Sequence, residues 1–188
     1  VPVKQIYAGL YGTTGKCDAN IETVKAFAAR AKETNPDYIM FTGDNIAHSV
    51  WLVTQEEVIR ATEMQIEAIQ EQFGLETPIY PAIGNHEKAP VDEFHGEETE
   101  LLQGLADIFK PYLTDEAYET FRKYGYYSMI VKNHLRIVSI NCLLCDSMNF
   151  NLLYDYTQTK AMFTWLEKVL SDAEKNGEIV HIMNHIPM

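Results

Sequence analysis

Ile79-Tyr80-Pro81-Ala82-Ile83-Gly84-Asn85-His86-Glu87 passes without a break from an apolar stretch into three side chains that can do chemistry. A short apolar run bounded by turn-forming residues reads as a buried strand, and the polar cluster stands just beyond its carboxyl end. The pattern occurs twice more. Tyr38-Ile39-Met40-Phe41 precedes Thr42-Gly43-Asp44, and Ile179-Val180-His181-Ile182-Met183 precedes Asn184-His185-Ile186-Pro187. In an open α/β sheet the ligand site lies outside the carboxyl ends of the strands. Strands that end on Asp, Asn and His therefore predict one convergent edge carrying a metal-type donor set.

Helices separate these strands. Ile21, Val24, Phe27, Ala28 and Ala31 recur at helical spacing between an Asn20 N-cap and Asn35-Pro36, which predicts a helix over 21–34. Thr54-Gln55-Glu56-Glu57 is a capping box opening a helix through Phe73, with Val58, Met64, Ile66 and Ile69 as its buried stripe and Gly74 as its end. Residues 87–104 are acidic and lack a period, which predicts a loop beside the site mouth. A short helix is expected over 114–124, a hairpin from 126–131 to 135–140, and a helix over 157–176 with Met162, Trp165, Leu166, Val169 and Leu170 on one side. Residues 1–19, with Pro2, Gly9, Gly12 and Gly15, read as irregular approach chain. Alternating helix and strand predict a layered α/β sandwich, with residues 1–188 as one domain.

Apolar content of 46% and charged content of 22% exclude a disordered chain. A formal charge of −12 argues against a nucleic-acid polymer as partner, because phosphate-backbone recognition needs a Lys/Arg surface. No run of apolar residues is long enough to span a membrane, so lipid contact is expected to be peripheral. The three cysteines, Cys17, Cys142 and Cys145, cannot all pair within one chain, and Cys142-x-x-Cys145 has no second pair to complete a zinc knuckle. No signal peptide and no Asn-x-Ser/Thr sequon is present; Val1-Pro2-Val3-Lys4 reads as the start of a processed product.

The succession Gly43-Asp44, Gly84-Asn85-His86-Glu87 and strand-end His185 resembles the calcineurin-like metallophosphoesterases, whose blocks run Asp-x-His, Gly-Asp, Gly-Asn-His-Asp/Glu, a later His, and Gly-His-x-His. Gly43-Asp44-Asn45-Ile46-Ala47-His48-Ser49-Val50-Trp51 is similar to the Gly-Asp-x-x-x-His-x-x-Trp block of acid sphingomyelinase-like phosphodiesterases. Trp165-Leu166-Glu167 and His185-Ile186-Pro187 are similar to later stretches of that subfamily. The resemblance implies a layered calcineurin-like sandwich of mixed β-sheets flanked by helices, incomplete here at both ends.

It also implies two divalent metal ions, with zinc the best match, and metal ligands at Asp44, Asn85 and His185. A carboxylate such as Asp44 has two oxygens to share between ions, and an amide such as Asn85 coordinates without adding negative charge beside a phosphate. His86 and His48 are the implied catalytic imidazoles, contacting phosphate or protonating the leaving oxygen. Glu87 is expected to orient His86, and Trp51 to pack beneath His48. The implied reaction is hydrolysis of a small-molecule or lipid phosphodiester, such as sphingomyelin or a nucleotide, by a metal-bridged hydroxide. The absence of a six-cysteine lipid-handling segment tilts the expectation toward soluble substrates. In the subfamily, positions like Cys17 and Cys145 form disulfides with cysteines outside this stretch, which implies a secreted or lysosomal protein.

Two blocks are missing. No Asp-x-His and no His-x-His occurs in the 188 residues, and Asn184 stands where the family has Gly before the His. Three protein ligands suit one ion better than two. The alternative reading is therefore a truncated, catalytically inactive relative acting as a binding protein.

Overall fold

The computed structural model describes residues 9–13, 15, 17–96 and 99–187. The irregular stretch expected over 1–19 lies partly outside these; among the described residues Gly9 and Gly12 form an isolated bridge, and no helix or strand precedes α1 (Ile21–Lys32). Asn20 caps α1 by accepting the Thr23 N–H at 3.0 Å. Ala28 is the buried residue of α1, whereas Phe27 is 74% exposed.

The chain then builds a β-α-β unit. Strand β1 (Ile39–Phe41) pairs in parallel with β2 (Ile79–Pro81), and α2 (Gln55–Phe73) connects them. The capping box is formed: the Thr54 N–H donates to Glu57 Oε2 at 2.8 Å and the Glu57 N–H donates to Thr54 Oγ1 at 3.3 Å. Helix α2 buries Val58, Thr62, Ile66, Ala68 and Phe73. Met64, expected in that stripe, is 44% exposed. It lies two residues from both Thr62 and Ile66, which turns it to the opposite side of the helix.

The predicted loop over 87–104 is corrected at its end. Irregular chain follows a single 3₁₀ turn at Asn85–Glu87, but Thr99–Phe109 is a helix, α3, burying Leu101, Leu102, Leu105, Ala106 and Phe109. Helix α4 (Asp115–Tyr124) ends at Gly125 and leads into the hairpin of β3 (Tyr127–Lys132) and β4 (Leu135–Ser139). Helix α5 (Thr157–Lys175) then carries the chain to β5 (Ile179–Met183), which pairs in parallel with β4.

The three strands that lead into the polar clusters do not share a sheet. Among the described residues β1 and β2 form one sheet, and β3, β4 and β5 form another. Side chains join the two: Ser139 Oγ donates to the Pro81 carbonyl at 2.9 Å, and Tyr38 Oη lies 2.6 Å from His181 Nδ1. One apolar core runs through both sheets, from Ile79 and Ile83 through Phe109 and Phe121 to Ile137, Val138 and Met183. Two sheets, one parallel and one mixed, with helices packed on them, form the predicted α/β architecture.

Candidate metal and catalytic site

The turn after β1 is strained in order to aim Asp44. Gly43 has φ +83° and Asp44 has φ 65°, a left-handed conformation that Asp tolerates better than most residues but that still costs about 1–3 kcal/mol. From there one carboxylate oxygen, Oδ1, accepts the His86 N–H at 3.0 Å. The other, Oδ2, lies 3.2 Å from Nε2 of His185. Asp44 thus touches the turns that follow β2 and β5 at once, and the clusters converge although their strands lie in two sheets.

Glu87 holds the first two turns against each other. Its carboxylate is buried and accepts three backbone N–H groups: Gly84 at 2.6 Å, Asp44 at 2.8 Å and Asn45 at 2.7 Å. These contacts replace the expected role, because the carboxylate is committed to main-chain donors and not to the His86 ring. Burial raises its pKa above the ordinary carboxylate range, and the three donors work against that rise. The turns are close enough to require glycine on both sides. A Cβ on Gly43 would collide with Gly84 N and Glu87 Oε2, and one on Gly84 would collide with the backbone N and Oδ1 of Asp44.

His185 is oriented by main chain. Its Nδ1 lies 2.9 Å from the Thr42 carbonyl, and a carbonyl only accepts, so the proton of a neutral ring sits on Nδ1. Nε2 then turns a lone pair toward a carboxylate oxygen 3.2 Å away. Such a pair of acceptors is repulsive until a proton or a cation stands between them. Two donors held at about 2.0–2.1 Å by one zinc-sized ion must themselves stand roughly 3 Å apart, so this pair fits a metal.

Asn85, the third candidate ligand, is oriented by a similar device. Its Nδ2 donates to Asp92 Oδ1 at 2.8 Å, which leaves the amide oxygen as the free end. Carboxylate, imidazole and amide oxygen together suit one divalent ion. Among the described residues no group of three or more His, Cys, Asp and Glu is gathered as a metal set, so a second ion has no comparable home in them. Asn184, in the position where Gly was expected, donates from Nδ2 to the Ile186 carbonyl at 2.6 Å, and its Oδ1 is buried without a hydrogen-bond partner.

The two candidate catalytic histidines stand together beside this donor set. The rings of His48 and His86 meet edge to face with centroids 5.0 Å apart. Asp18 Oδ1 lies 2.5 Å from His48 Nδ1. Trp51 does not pack beneath His48 as expected; it is 79% exposed on a 3₁₀ turn, Val50–Leu52, that projects away from the core. Asp18, Thr42 and Asp92 escaped sequence reasoning. Nothing in the spacing marks Asp18, thirty residues from its partner, or a backbone carbonyl; only the seven-residue gap from Asn85 to Asp92 could have been read as a local turn contact.

The cysteines form no disulfide with one another. Cys17, Cys142 and Cys145 are all free thiols, and burial pushes Cys142 up to about 12, which makes it inert. No helix among the described residues is long and apolar enough to cross a membrane.

Comparison with known proteins agrees with the geometry. The family model described as calcineurin-like phosphoesterase matches residues 13–188. Sphingomyelin phosphodiesterase of Bos taurus is 34% identical over 99% of this chain and 31% of its own length, and the Homo sapiens protein of that name gives the same figures. Sphingomyelin phosphodiesterase A of Dictyostelium discoideum is 36% identical over 91% of this chain and 30% of its own length. The chain therefore spans about a third of the length of these relatives. With a family model matched along nearly its whole length and sphingomyelin phosphodiesterases about a third identical to it across nearly all of its residues, the chain belongs to the calcineurin-like phosphoesterases, in their acid sphingomyelinase-like branch.

Proposed function

We propose that this chain carries the catalytic centre of a metal-dependent phosphodiesterase that hydrolyses a lipid or small-molecule phosphodiester, such as sphingomyelin or a nucleotide. The observation that carries the reading is the Asp44–His185 pair, a carboxylate oxygen and an imidazole lone pair 3.2 Å apart with the imidazole proton held away on the Thr42 carbonyl. Asp44, His185 and the Asn85 amide oxygen would hold the metal, with zinc the best match to that mixed donor set. The resemblance to calcineurin-like enzymes implies two metal ions, of which the described residues gather a donor set for one. When bound, the ions supply the nucleophile and the positive charge that the developing oxyanions need.

The chain's own residues do the rest. Glu87 fixes the turns that carry Asp44 and Asn85 against each other by accepting the N–H groups of Asp44 and Gly84. His86, its N–H on the Asp44 carboxylate, sets its ring beside His48, so two imidazoles face the phosphate. One stabilises the oxygens and the other returns a proton to the leaving group. The resemblance to sphingomyelin phosphodiesterases supports a secreted or lysosomal setting, and the charge of −12 disfavours a nucleic-acid polymer as substrate.

His86→Ala should lower the turnover of bis-p-nitrophenyl phosphate by roughly 100-fold, through lost stabilisation of the phosphoryl oxygens, while metal content stays the same. Unchanged turnover would remove His86 from the mechanism, and activity indifferent to a chelator would remove the metal. A second reading, a relative that binds phosphodiesters without cleaving them, draws on the lack of a three-residue His, Cys, Asp and Glu set among the described residues. Metal-dependent turnover by the unaltered chain excludes it.

A further inference from the structure

Next to the metal-type site lies a pocket of about 370 Å³ lined by Gly15, Cys17, Asp18 and His48. Asp18 grips His48 at two points. Its Oδ2 accepts the His48 backbone N–H at 3.2 Å, and its Oδ1 lies 2.5 Å from Nδ1 of the ring. The paired histidine holds the Asp18 carboxyl below the usual carboxylate range, so it is ionised and can only accept. The ring proton of neutral His48 therefore sits on Nδ1, and Nε2 is the nitrogen left for whatever enters the pocket. The His86 ring stands edge-on to that of His48, which ties the pocket's histidine to the turn beside Asp44. No part of the metal donor set explains why Asp18, from the irregular chain before α1, should reach thirty residues forward to hold a ring that is 78% exposed on its side chain.

We propose that Asp18 is the positioning residue for His48. It fixes the Nδ1–H form and presents Nε2 to the leaving oxygen of a phosphodiester whose leaving group is an aliphatic alcohol. This deepens the phosphodiesterase reading and rests on it. In the step, a water oxygen bonds to phosphorus and gives up a proton to solvent as the phosphorus–oxygen bond to the alcohol breaks. The doubly protonated ring passes the Nε2 proton to the departing oxygen. The products are the alcohol, the phosphomonoester and a neutral ring still held through Nδ1 by Asp18, which regains its Nε2 proton from solvent. Such a donor matters for an alkoxide, which is too basic to leave unaided, and hardly at all for p-nitrophenolate. The pairing therefore assigns the site to aliphatic leaving groups, the class to which a ceramide-type or ribose-type alcohol belongs.

The test has two arms on the intact chain. Long-range proton–nitrogen NMR correlation, with His48 assigned by its loss in His48→Gln, should find the neutral ring protonated on Nδ1, and Asp18→Ala should move that proton to Nε2. In kinetics, Asp18→Ala should lower kcat for an alkyl phosphodiester by about 100-fold with KM little changed, and for bis-p-nitrophenyl phosphate by less than about threefold. Asp18→Glu should recover part of the alkyl activity. A neutral His48 protonated on Nε2 in the unaltered chain overturns the proposal, as does an equal loss on both substrates. If the unaltered chain with metal hydrolyses neither substrate, the phosphodiesterase reading falls and takes the catalytic half of this proposal with it, while the NMR arm still decides whether Asp18 sets the tautomer.

Discussion

Glu87 makes no contact that a list of metal ligands would include, yet three backbone N–H groups from two separate turns end on it. Glu87→Gln keeps the volume and turns an amide N–H₂ toward those donors. Metal affinity should fall by about 10–100-fold, as for other residues that orient ligands, with a stability loss of roughly 1–3 kcal/mol. Titration calorimetry with zinc and denaturant unfolding of the same sample read the two effects, and wild-type affinity in the variant would show that Glu87 is not what holds the turns. The ligand candidates themselves were legible in sequence, because Asp44, Asn85 and His185 each follow an apolar run directly. Their orienting partners were not. Asp18, Asp92 and the Thr42 carbonyl acquire meaning only when folding places them against His48, Asn85 and His185.

Helices and strands were readable in proportion to how much of their pattern was local. The capping box of α2 needs four consecutive residues and was legible; α3 was not, for two reasons. Acidic residues crowd the chain just before it, and Gly104 in its middle reads as a loop residue. In the fold Gly104 is a close-approach residue, since a Cβ there would strike the Ile59 side chain of α2. Partnership between strands is also invisible locally, and here it includes a forked ion pair. Arg136 of β4 donates from Nε to Glu178 Oε2 at 2.6 Å and from an Nη to Oε1 at 3.2 Å, just ahead of β5. Arg136 holds the Glu178 carboxyl below its ordinary range, so the pair stabilises the fold above the unfolded carboxylate pKa, and the stabilisation is lost as pH falls through the lower folded value. Arg136→Met should lower the melting temperature at pH 7, and the gap from wild type should close as the pH is taken below about 4. A gap that is constant with pH in a melting series would assign the loss to packing alone.

At the scale of the molecule, a row of aromatic rings crosses from one sheet to the other. Phe41 of β1 meets Phe109 at 5.8 Å between centroids, Phe109 meets Phe121 of α4 at 6.4 Å, and Phe121 meets Tyr127 of β3 at 5.6 Å. Phe121 is 1% exposed, so Phe121→Ala should cost about 3–5 kcal/mol by urea unfolding. A cost below about 1 kcal/mol would mean that the core closes over the cavity. The α/β class and, α3 apart, the order of helices and strands were legible in the sequence, whereas the division of the strands between two sheets was not, because every strand in question is a short apolar run with no mark of its neighbour.

The Tyr38–His181 and Thr42–His185 contacts each close a loop of 143 residues, and both lie where the two sheets meet. Local structure on either side, including the β-α-β unit and the hairpin, can form while that loop is still open, but the Asp44–His185 pair cannot. Contacts of such separation are among the last to be rewarded in folding. On a ribosome the donor set therefore stays unfinished until β5 has emerged, and in refolding the recovery of metal affinity should trail the recovery of helix. The chain passes its early life with most of its shape and without its donor set, which would keep the proposed hydrolytic centre silent until the scaffold around it is complete.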